Sequence, residues 1–589
     1  MKDETGTFQT SIHDEDFLEQ FSGGRAGWEG LVSGAGRNTE KLNGTWNFSL
    51  DPYHTCLRAG WYLEASHDAS GREYPLDYDF DRWEPVAVPS CWNLLRKEYF
   101  WYEGPAVYTR KFTYVNRGEK TVVLKIGAAN YDAKVFVNQR YVGHHRGGST
   151  PFCFDITCFL EHDNRIVIVV DNTRNPNHVP MTNTDWFNYG GLYRNVELLR
   201  LPKVAITDFS VALVSDGAFD KLRASVSLSD QSCGGQAVVT IAELGLRQEI
   251  PVRNGQGEVT FGAKPALWSP GSPRLYDVEV RFGEDVVTDR IGFREIKVAG
   301  TEIRLNGQAI VLKGICIHEE SEAHGKSVTD EEIRENFRLL KDLNANYARL
   351  AHYPHSENAA RIADEMGILL WEEIPVYWAI NFRNDDTYAD AENQLLELIR
   401  RDRNRASVIL WSVGNENPDT DDRLNFMKSL ALRAKAADPT RMVTAACLVD
   451  RVNLIINDRL ADSLDVIGIN EYYGWYEPNI EHLQVIFDHS KPTKPVIISE
   501  FGADARAGER GSKDDLWTED KQLEVYRIQT QTFAKIPYIK GTTPWILFDF
   551  RCPRRTNGFQ DFYNRKGLLS QDKKTKKLAY FCMKAYYSR

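Results

Sequence analysis

The sequence predicts three folded parts in series: a β jelly-roll sandwich, an immunoglobulin-like β-sandwich and a C-terminal (β/α)8 TIM barrel. The chain has 589 residues, which is too long for one hydrophobic core. Short runs with alternating apolar and polar residues fill the first half, separated by turn residues, as in antiparallel sheets. In the second half, apolar runs alternate with helical segments, as in parallel α/β folds.

The two β-sandwiches are predicted from the spacing of these runs. Residues 1–203 contain strand-like runs such as KTVVLKI and RIVIVVDN, and no amphipathic helix interrupts them, which favours a jelly roll. Residues 204–298 contain a second all-β set, including RASVSLS and YDVEVRF. The length of this second part suits an immunoglobulin-like sandwich.

The barrel is predicted for residues 299–589. Asn306-Gly307 suits a two-residue hairpin turn at its start. Eight strand-like runs follow, each with a helix or short helical turn after it: IVLKGICIH, YARLAHYP, ILLWEEIP, SVILWSVGNEN, RMVTAACLV, DVIGINEYY, PVIISEFGA and GTTPWILFDF. In such barrels the active site lies at the C-terminal ends of the strands. We therefore expect the chemistry at the polar residues that end these runs.

Composition excludes several other classes of protein. The net charge is −11 and no block of Lys or Arg occurs, so neither a nucleic-acid partner nor an anionic membrane partner is predicted. The nine cysteines are scattered and lack CxxC spacing, which argues against both a disulfide framework and a zinc site. The polar start MKDETGTFQTSIHDEDF and the lack of a long apolar run predict a cytoplasmic protein.

Two glutamates at strand ends predict the chemistry. Glu416 ends the fourth predicted strand and Glu500 ends the seventh, so the two approach the barrel mouth from roughly opposite sides. Paired carboxylates that flank a bond are the apparatus of glycoside hydrolysis, and a separation of about 5 Å makes one of them a nucleophile. We assign Glu500 as the nucleophile, with Tyr472 as a candidate hydrogen-bond donor. Glu416 is the acid and then the base, which needs an apolar or anionic neighbourhood to hold its proton.

Further polar and aromatic side chains near the strand ends are predicted to contact a sugar, because aromatic faces stack on the C–H face of a sugar ring. These residues are His352, Asn415, Asn470, Tyr472, Tyr476 and Trp545. His318, Glu319, Glu372 and Glu373 could also be read as metal ligands, but nothing in their spacing specifies a metal. We predict no metal and no cofactor.

Several motifs together resemble glycoside hydrolase family 2. They are LNGTWNFSLDP, LWSPGSPRLYDVEV, RLAHYP, WSVGNEN and ISEFG. The resemblance covers nearly the whole chain, and it implies a retaining glycosidase with the same pair of glutamates. Members of this family include β-galactosidases, β-mannosidases and β-glucuronidases.

The resemblance also implies a substrate class. Asn564-Arg565-Lys566 matches the Asn-x-Lys pair with which β-glucuronidases of the family hold the sugar carboxylate. DWFNYGGLYRNV is similar to a segment that places an Asp, here Asp185, near the hydroxyls at C3 and C4. These enzymes usually carry an Arg shortly before Asn-x-Lys, but Gln560 stands at that distance here. The nearby arginines, Arg551, Arg554 and Arg555, lie further upstream, and Arg551 is the substitute that we predict.

The resulting hypothesis is a retaining exo-β-glucuronidase that acts on small or oligosaccharide β-glucuronides. A β-galacturonidase or an enzyme for both uronides is the alternative, because the two sugars differ only at C4. A β-galactosidase is disfavoured, since Lys566 would then have no anionic partner. A carbohydrate-binding protein without turnover is the alternative from another class, and the presence of both glutamates argues against it. The family resemblance also implies a homo-oligomer.

Overall fold

The computed structural model describes residue 21 and residues 33–67 and 70–589. The polar N-terminal stretch on which the prediction of location rests, residues 1–17, lies outside the described residues. Within the described part, no helix is both long and apolar enough to cross a membrane. The chain forms two compact units, one of Met1–Thr173 with Asn188–Thr207 and the other of Arg174–Phe187 with Asp208–Arg589.

The first unit is a sandwich of a four-stranded and a six-stranded antiparallel sheet, which confirms the predicted jelly roll. Trp46, Leu124 and Ile168 come from both sheets and are fully buried in one core between them. The strands are β1 Asn38–Lys41, β2 Gly44–Leu50, β3 Ser66–His67, β4 Glu73–Tyr74, β5 Glu84–Val88, β6 Pro105–Thr113, β7 Thr121–Ile126, β8 Ala129–Asn130, β9 Asp132–Val137, β10 Arg140–Arg146, β11 Phe152–Asp155, β12 Asp163–Asp171, β13 Gly191–Leu192 and β14 Val196–Leu201.

The second all-β part has seven strands in the order β15-β16-β19-β18-β17-β20-β21 and agrees with the predicted immunoglobulin-like fold. They are β15 Ile206–Leu213, β16 Lys221–Leu228, β17 Gly235–Ile241, β18 Leu246–Arg253, β19 Gln256–Gly262, β20 Tyr276–Phe282 and β21 Asp285–Ile291. Trp268, between β19 and β20, shares one core with residues at the start of the barrel strands. The Trp268 indole donates to the Asp364 carbonyl at 2.9 Å. The domain limits after residues 203 and 298 stay predictions.

A small sheet of β22 Ile296–Ala299, β23 Glu302–Leu305 and β24 Gln308–Ala309 leads into the barrel. Asn306 and Gly307 join the last two strands with φ of 52° and 79°. A two-residue turn with both residues in the left-handed region matches the twist of a hairpin. The predicted turn is therefore confirmed.

Eight parallel strands close into a barrel and confirm the predicted fold class. They are β25 Leu312–His318, β26 Tyr347–Ala351, β27 Leu369–Glu373, β28 Val408–Asn415, β29 Met442–Leu448, β30 Ile467–Asn470, β31 Val496–Glu500 and β32 Ile539–Thr542. The helices are α1 Asp330–Asp342, α2 Glu357–Met366, α3 Asp385–Asp402, α4 Asp421–Ala437, α5 His482–His489, α6 Glu519–Phe533 and α7 Leu578–Tyr587. Thr329 and Glu332 form a capping box at the start of α1.

The eighth strand is the barrel element whose predicted position was wrong. The run GTTPWILFDF spans residues 541–550, but the strand ends at Thr542. Trp545 therefore follows the strand and lies in the connection above it. Further along this connection, β33 Phe550–Arg551 pairs with β34 Tyr563–Asn564. This pairing returns the Asn564-Arg565-Lys566 motif to the end of the barrel where the strand ends lie.

Candidate active site

The structure brings Glu416 and Glu500 into one hydrogen-bond network at the C-terminal ends of the strands. Asn470 Nδ2 donates to Glu416 Oε1 and to Asn415 Oδ1, each at 3.1 Å. Arg349 donates to the same Asn415 oxygen at 2.7 Å and to Glu500 Oε1 at 2.8 Å, which completes the link. Glu500 is the last residue of β31. Glu416 follows β28 with φ of 50°, a backbone conformation that non-glycine residues seldom adopt.

Glu500 is buried and accepts hydrogen bonds at both carboxylate oxygens. Arg349 Nη1 donates to Oε1 at 2.8 Å, and Tyr472 Oη donates to Oε2 at 2.7 Å. Burial raises the pKa of Glu500 above its usual value, Arg349 opposes this shift, and the charge of nearby Glu416 adds to it. The predicted donor Tyr472 therefore contacts the residue for which it was proposed.

A buried ion pair that sequence reasoning missed supports this arrangement. Arg349 is fully buried, and its Nη2 donates to Glu373 Oε1 at 2.9 Å and to Asn415 Oδ1 at 2.7 Å. His352 Nδ1 lies 2.8 Å from the same Glu373 oxygen. Burial alone would raise the pKa of Glu373, but Arg349 and His352 outweigh it and lower the pKa to about 2. Glu373 is therefore ionised and holds Arg349 and His352 in place.

Glu416 has one contact that the sequence analysis did not anticipate. The indole N–H of Trp378 donates to Glu416 Oε2 at 2.8 Å. Trp378 lies in the connection after the third strand, so its aromatic type alone gave no reason to place it beside the glutamate. Two donors, from Trp378 and Asn470, thus fix the orientation of the Glu416 carboxyl group.

The predicted aromatic contacts lie around the two glutamates. The ring of Trp545 stacks on His352 with a centroid distance of 4.7 Å and an interplanar angle of 21°. Tyr472 and Tyr476 meet edge to face at 5.4 Å. Asn415 Nδ2 is buried and has no hydrogen-bond partner among the described residues, so it can donate to a ligand.

Asp185, Asn564 and Lys566 also converge. Asn564 Nδ2 donates to Asp185 Oδ2 at 3.0 Å. Lys566 Nζ donates to Tyr476 Oη at 2.8 Å and lies 5.6 Å above the ring centre of Tyr472. The Lys566 side chain is almost completely buried rather than turned out to solvent. The ammonium group is therefore close to the tyrosine that donates to Glu500.

Lys566 has an internal anionic partner, which corrects one argument from sequence. Its Nζ lies 2.6 Å from Asp504 Oδ2. Burial would lower the pKa of Lys566, but Asp504 outweighs it and raises the pKa, so the side chain is an ammonium ion. A neutral sugar would therefore not leave Lys566 without a counter-charge. The case against a β-galactosidase has to be made from hydrogen-bond donors instead.

The structure places Arg551 away from this cluster. Its guanidinium donates to the Glu322 carbonyl at 3.0 Å and lies 3.9 Å from Glu320. Arg555 lies in the cluster instead: Nε and Nη2 donate to the two oxygens of Asp185 at 3.0 and 2.6 Å, and Nη1 donates to Tyr476 Oη at 2.9 Å. Counting back from Asn564 could not identify Arg555, because the connection between the two residues is irregular.

The residues weighed as metal ligands do not form a metal site within the described chain, where no cluster of at least three His, Cys, Asp or Glu side chains could hold an ion. His318 Nδ1 instead lies 3.1 Å from the hydroxyl of Tyr353. Burial lowers the pKa of His318 well below its usual value, so the ring is neutral. Burial raises the pKa of Glu372, which is therefore protonated.

Models of one family match successive parts of the chain. "Glycosyl hydrolases family 2, sugar binding domain" matches residues 39–202, "Glycosyl hydrolases family 2" matches residues 204–294, and "Glycosyl hydrolases family 2, TIM barrel domain" matches residues 296–589. Together they span nearly all of the described chain, which agrees with the resemblance seen in the motifs.

Similar proteins carry uronidase names. The β-glucuronidase of Paenibacillus borealis is 29% identical and the alignment covers 92% of this chain and 96% of the relative. The crystal structure of Ruminococcus gnavus β-glucuronidase has a TM-score of 0.82 at 25% identity, covering 95% of this chain and 98% of that one. A family 2 β-galacturonidase from Eisenbergiella tayi has a TM-score of 0.80 at 26% identity, covering 96% and 98%. The chain belongs to glycoside hydrolase family 2 and is a glycoside hydrolase.

Proposed function

We propose that this enzyme is a retaining exo-β-glucuronidase. The observation that carries the proposal is the position of Lys566: its buried ammonium lies 5.6 Å above Tyr472, the residue that donates to Glu500. Although Asp504 balances its charge, this ammonium keeps N–H donors that a sugar carboxylate accepts better than a neutral group does. The names of the similar proteins support the same substrate class.

The reaction has two displacement steps. In the first, the Glu500 carboxylate bonds to the anomeric carbon while Glu416 gives its proton to the glycosidic oxygen, and the aglycone leaves as an alcohol. In the second, Glu416 removes a proton from water, the water oxygen bonds to the anomeric carbon, and the bond to Glu500 breaks. Arg349 and Tyr472 each donate to Glu500, so they stabilise the carboxylate that is released in this step.

The uronate carboxylate would bind at Lys566, Arg555 and Asn564. A lysine ammonium has three N–H donors. Lys566 Nζ donates to Tyr476 Oη at 2.8 Å and forms an ion pair with Asp504 Oδ2, which lies 2.6 Å away. At least one donor is then left for a ligand. A neutral CH₂OH group is a weaker acceptor for it than a carboxylate, which favours a uronide over a galactoside.

The exo mode follows from the residues behind the sugar. Asp185 is fixed by Arg555 and Asn564, and we place these three residues around the non-reducing end of the bound sugar. Side chains that hold one another in this way would leave no room for a longer chain to extend past them. The enzyme would therefore release one terminal uronic acid at a time.

The test is a panel of p-nitrophenyl β-glucuronide, β-galacturonide and β-galactoside with the wild type and the Glu500→Gln variant. We expect the glucuronide to be the best substrate. We expect Glu500→Gln to lose at least about 100-fold in rate, because a covalent nucleophile contributes that much or more. A smaller loss, or a neutral glycoside as the best substrate, would contradict the proposal.

A β-galacturonide is the second candidate substrate. The specific observation in its favour is the similarity to the Eisenbergiella tayi β-galacturonidase, which is comparable in extent to the similarity to the β-glucuronidases. The two uronides differ only in the direction of the C4 hydroxyl, which would meet Asp185 and Arg555. The ratio of kcat/KM for the two uronides in the same panel distinguishes these candidates.

A further inference from the structure

We infer that Trp378 and Arg554 form a binding site for the aglycone and that this site selects aglycones with a negative charge. The inference rests on the proposed function, in which Glu416 protonates the leaving-group oxygen. That oxygen must then lie next to the Glu416 carboxyl group, so the side chains around Glu416 face the aglycone. The ligand class is a flat ring or a sugar that carries a carboxylate or sulfate group.

Trp378 is held rigidly against Glu416. Its indole N–H donates to Glu416 Oε2 at 2.8 Å, and its backbone N–H donates to the Asn415 carbonyl at 2.9 Å. Its own carbonyl accepts from Asn417 Nδ2 at 2.7 Å. The backbone has φ of 54°, which a bulky residue adopts only where the surrounding contacts hold it. The indole is therefore a fixed wall on the leaving-group side.

Arg554 lies over this wall. The centre of its guanidinium is 4.7 Å from the centre of the Trp378 ring, and its side chain is 44% exposed. Its Nη1 donates to Asn183 Oδ1 at 3.3 Å. The nearest carboxylate oxygen in the described chain belongs to Asp185, 3.8 Å from Arg554 Nε, which is beyond hydrogen-bond range.

Asp185 already forms an ion pair with Arg555. Its two oxygens accept the Nε and Nη2 donors of Arg555, and Oδ2 also accepts from Asn564. Lys566 is likewise matched by Asp504. Arg554 is also the most exposed of the three cations here, since Arg555 and Lys566 are 20% and 2% exposed. A ligand anion at the mouth would therefore meet Arg554 first.

This arrangement discriminates between aglycones. A neutral aromatic aglycone that stacks on Trp378 has to displace the guanidinium from the indole face. An anionic aglycone can leave the guanidinium in place and accept two N–H donors from it. Because the pair is partly exposed, we expect a preference of about fivefold, and we expect salt to weaken it.

The experiment compares 4-nitrophenyl β-glucuronide with its 3-carboxy analogue. The kcat/KM ratio of the two substrates is measured for the wild type, for Arg554→Gln and for Arg551→Gln, each at low and high sodium chloride. Arg551→Gln is the matched control, since this arginine lies in the same connection and its guanidinium faces Glu320 and Glu322 instead. The ratio between variants cancels the effect of the carboxyl group on leaving-group reactivity. Melting temperatures show whether each variant is folded.

We expect Arg554→Gln to lower the anionic-to-neutral ratio about fivefold and Arg551→Gln to leave it unchanged. Added salt should lower the ratio for the wild type and for Arg551→Gln but not for Arg554→Gln. An equal ratio in the wild type and Arg554→Gln overturns the inference and leaves the proposed function standing. If the wild type hydrolyses neither glucuronide, the proposed function fails and the inference fails with it.

Discussion

Replacing Glu373 with Gln tests the ion pair between Glu373 and Arg349, the residue that donates to Glu500. Glu373 is fully buried. It accepts hydrogen bonds from Arg349 and from the Trp371 indole, the latter at 2.7 Å, and it also contacts His352. Its pKa is about 2 in the folded protein, against 4.5 for an ordinary glutamate. Each unit of that difference is equivalent to about 1.4 kcal/mol, so the ionised form contributes about 3 kcal/mol of stability at neutral pH.

The sign of the pH dependence follows from the lowered pKa. The stability that ionised Glu373 contributes is fully present above the unfolded-state pKa of 4.5. It is lost as pH falls through the folded-state pKa of about 2. At pH 3 only about 1.4 kcal/mol remains. The cost of Glu373→Gln in unfolding free energy should therefore shrink by about 2 kcal/mol between pH 7 and pH 3.

Urea unfolding at several pH values, followed by tryptophan fluorescence, measures this difference. Glu372→Gln is the matched control, because Glu372 precedes Glu373 in the same buried strand and its pKa is raised by burial instead. The cost of Glu372→Gln in unfolding free energy should therefore change with pH in the opposite direction. If Glu373→Gln costs the same at pH 3 and pH 7, then Glu373 is not the ionised partner of Arg349 and the reasoning fails.

Three further predictions concern the sugar site and a second buried carboxyl group. Tyr472→Phe removes one donor to Glu500 and should lower kcat about 100-fold with the fold intact; a change below threefold in steady-state assays would contradict its role. Lys566→Met should lower kcat/KM for the glucuronide at least tenfold more than for a β-galactoside, and equal losses would refute the carboxylate site. Burial raises the pKa of Glu471 to about 8, so the wild type loses stability as pH rises from 5 to 8. The unfolding free energy of Glu471→Gln should therefore rise by about 3 kcal/mol relative to that of the wild type between pH 5 and pH 8. Melting temperatures of the two proteins across this range measure the difference.

Sequence reasoning was most successful where position in the barrel fixes position in space. Glu416 and Glu500 end parallel strands, and parallel strands deliver their C-terminal ends to one edge. The structure accordingly places both in one hydrogen-bond network. Tyr472, two residues beyond the sixth strand, follows the same rule. The alternation of strands and helices was sufficient to predict these contacts.

Loops and buried charges were harder to interpret. Arg551 and Arg555 are four residues apart in an irregular connection, so their order in the chain does not indicate that Arg555 is the one that reaches Asp185. Arg349 interrupts an otherwise apolar strand, which is a signal of a buried charge that needs a partner. Its partner Glu373 comes from the neighbouring strand. Trp378 gave no signal at all, because an aromatic residue after a strand is equally consistent with packing.

The identity of the covalently bound residue is the most direct test of the proposed mechanism. Incubation with a 2-deoxy-2-fluoro-β-glucuronyl fluoride slows the second step more than the first and lets the glycosyl-enzyme accumulate. Peptide mass spectrometry should then find one added fluoroglucuronyl group, on Glu500. A label on Glu416 or on another residue, or turnover that gives the α-anomer first with no label, would contradict the assignment of Glu500 as nucleophile.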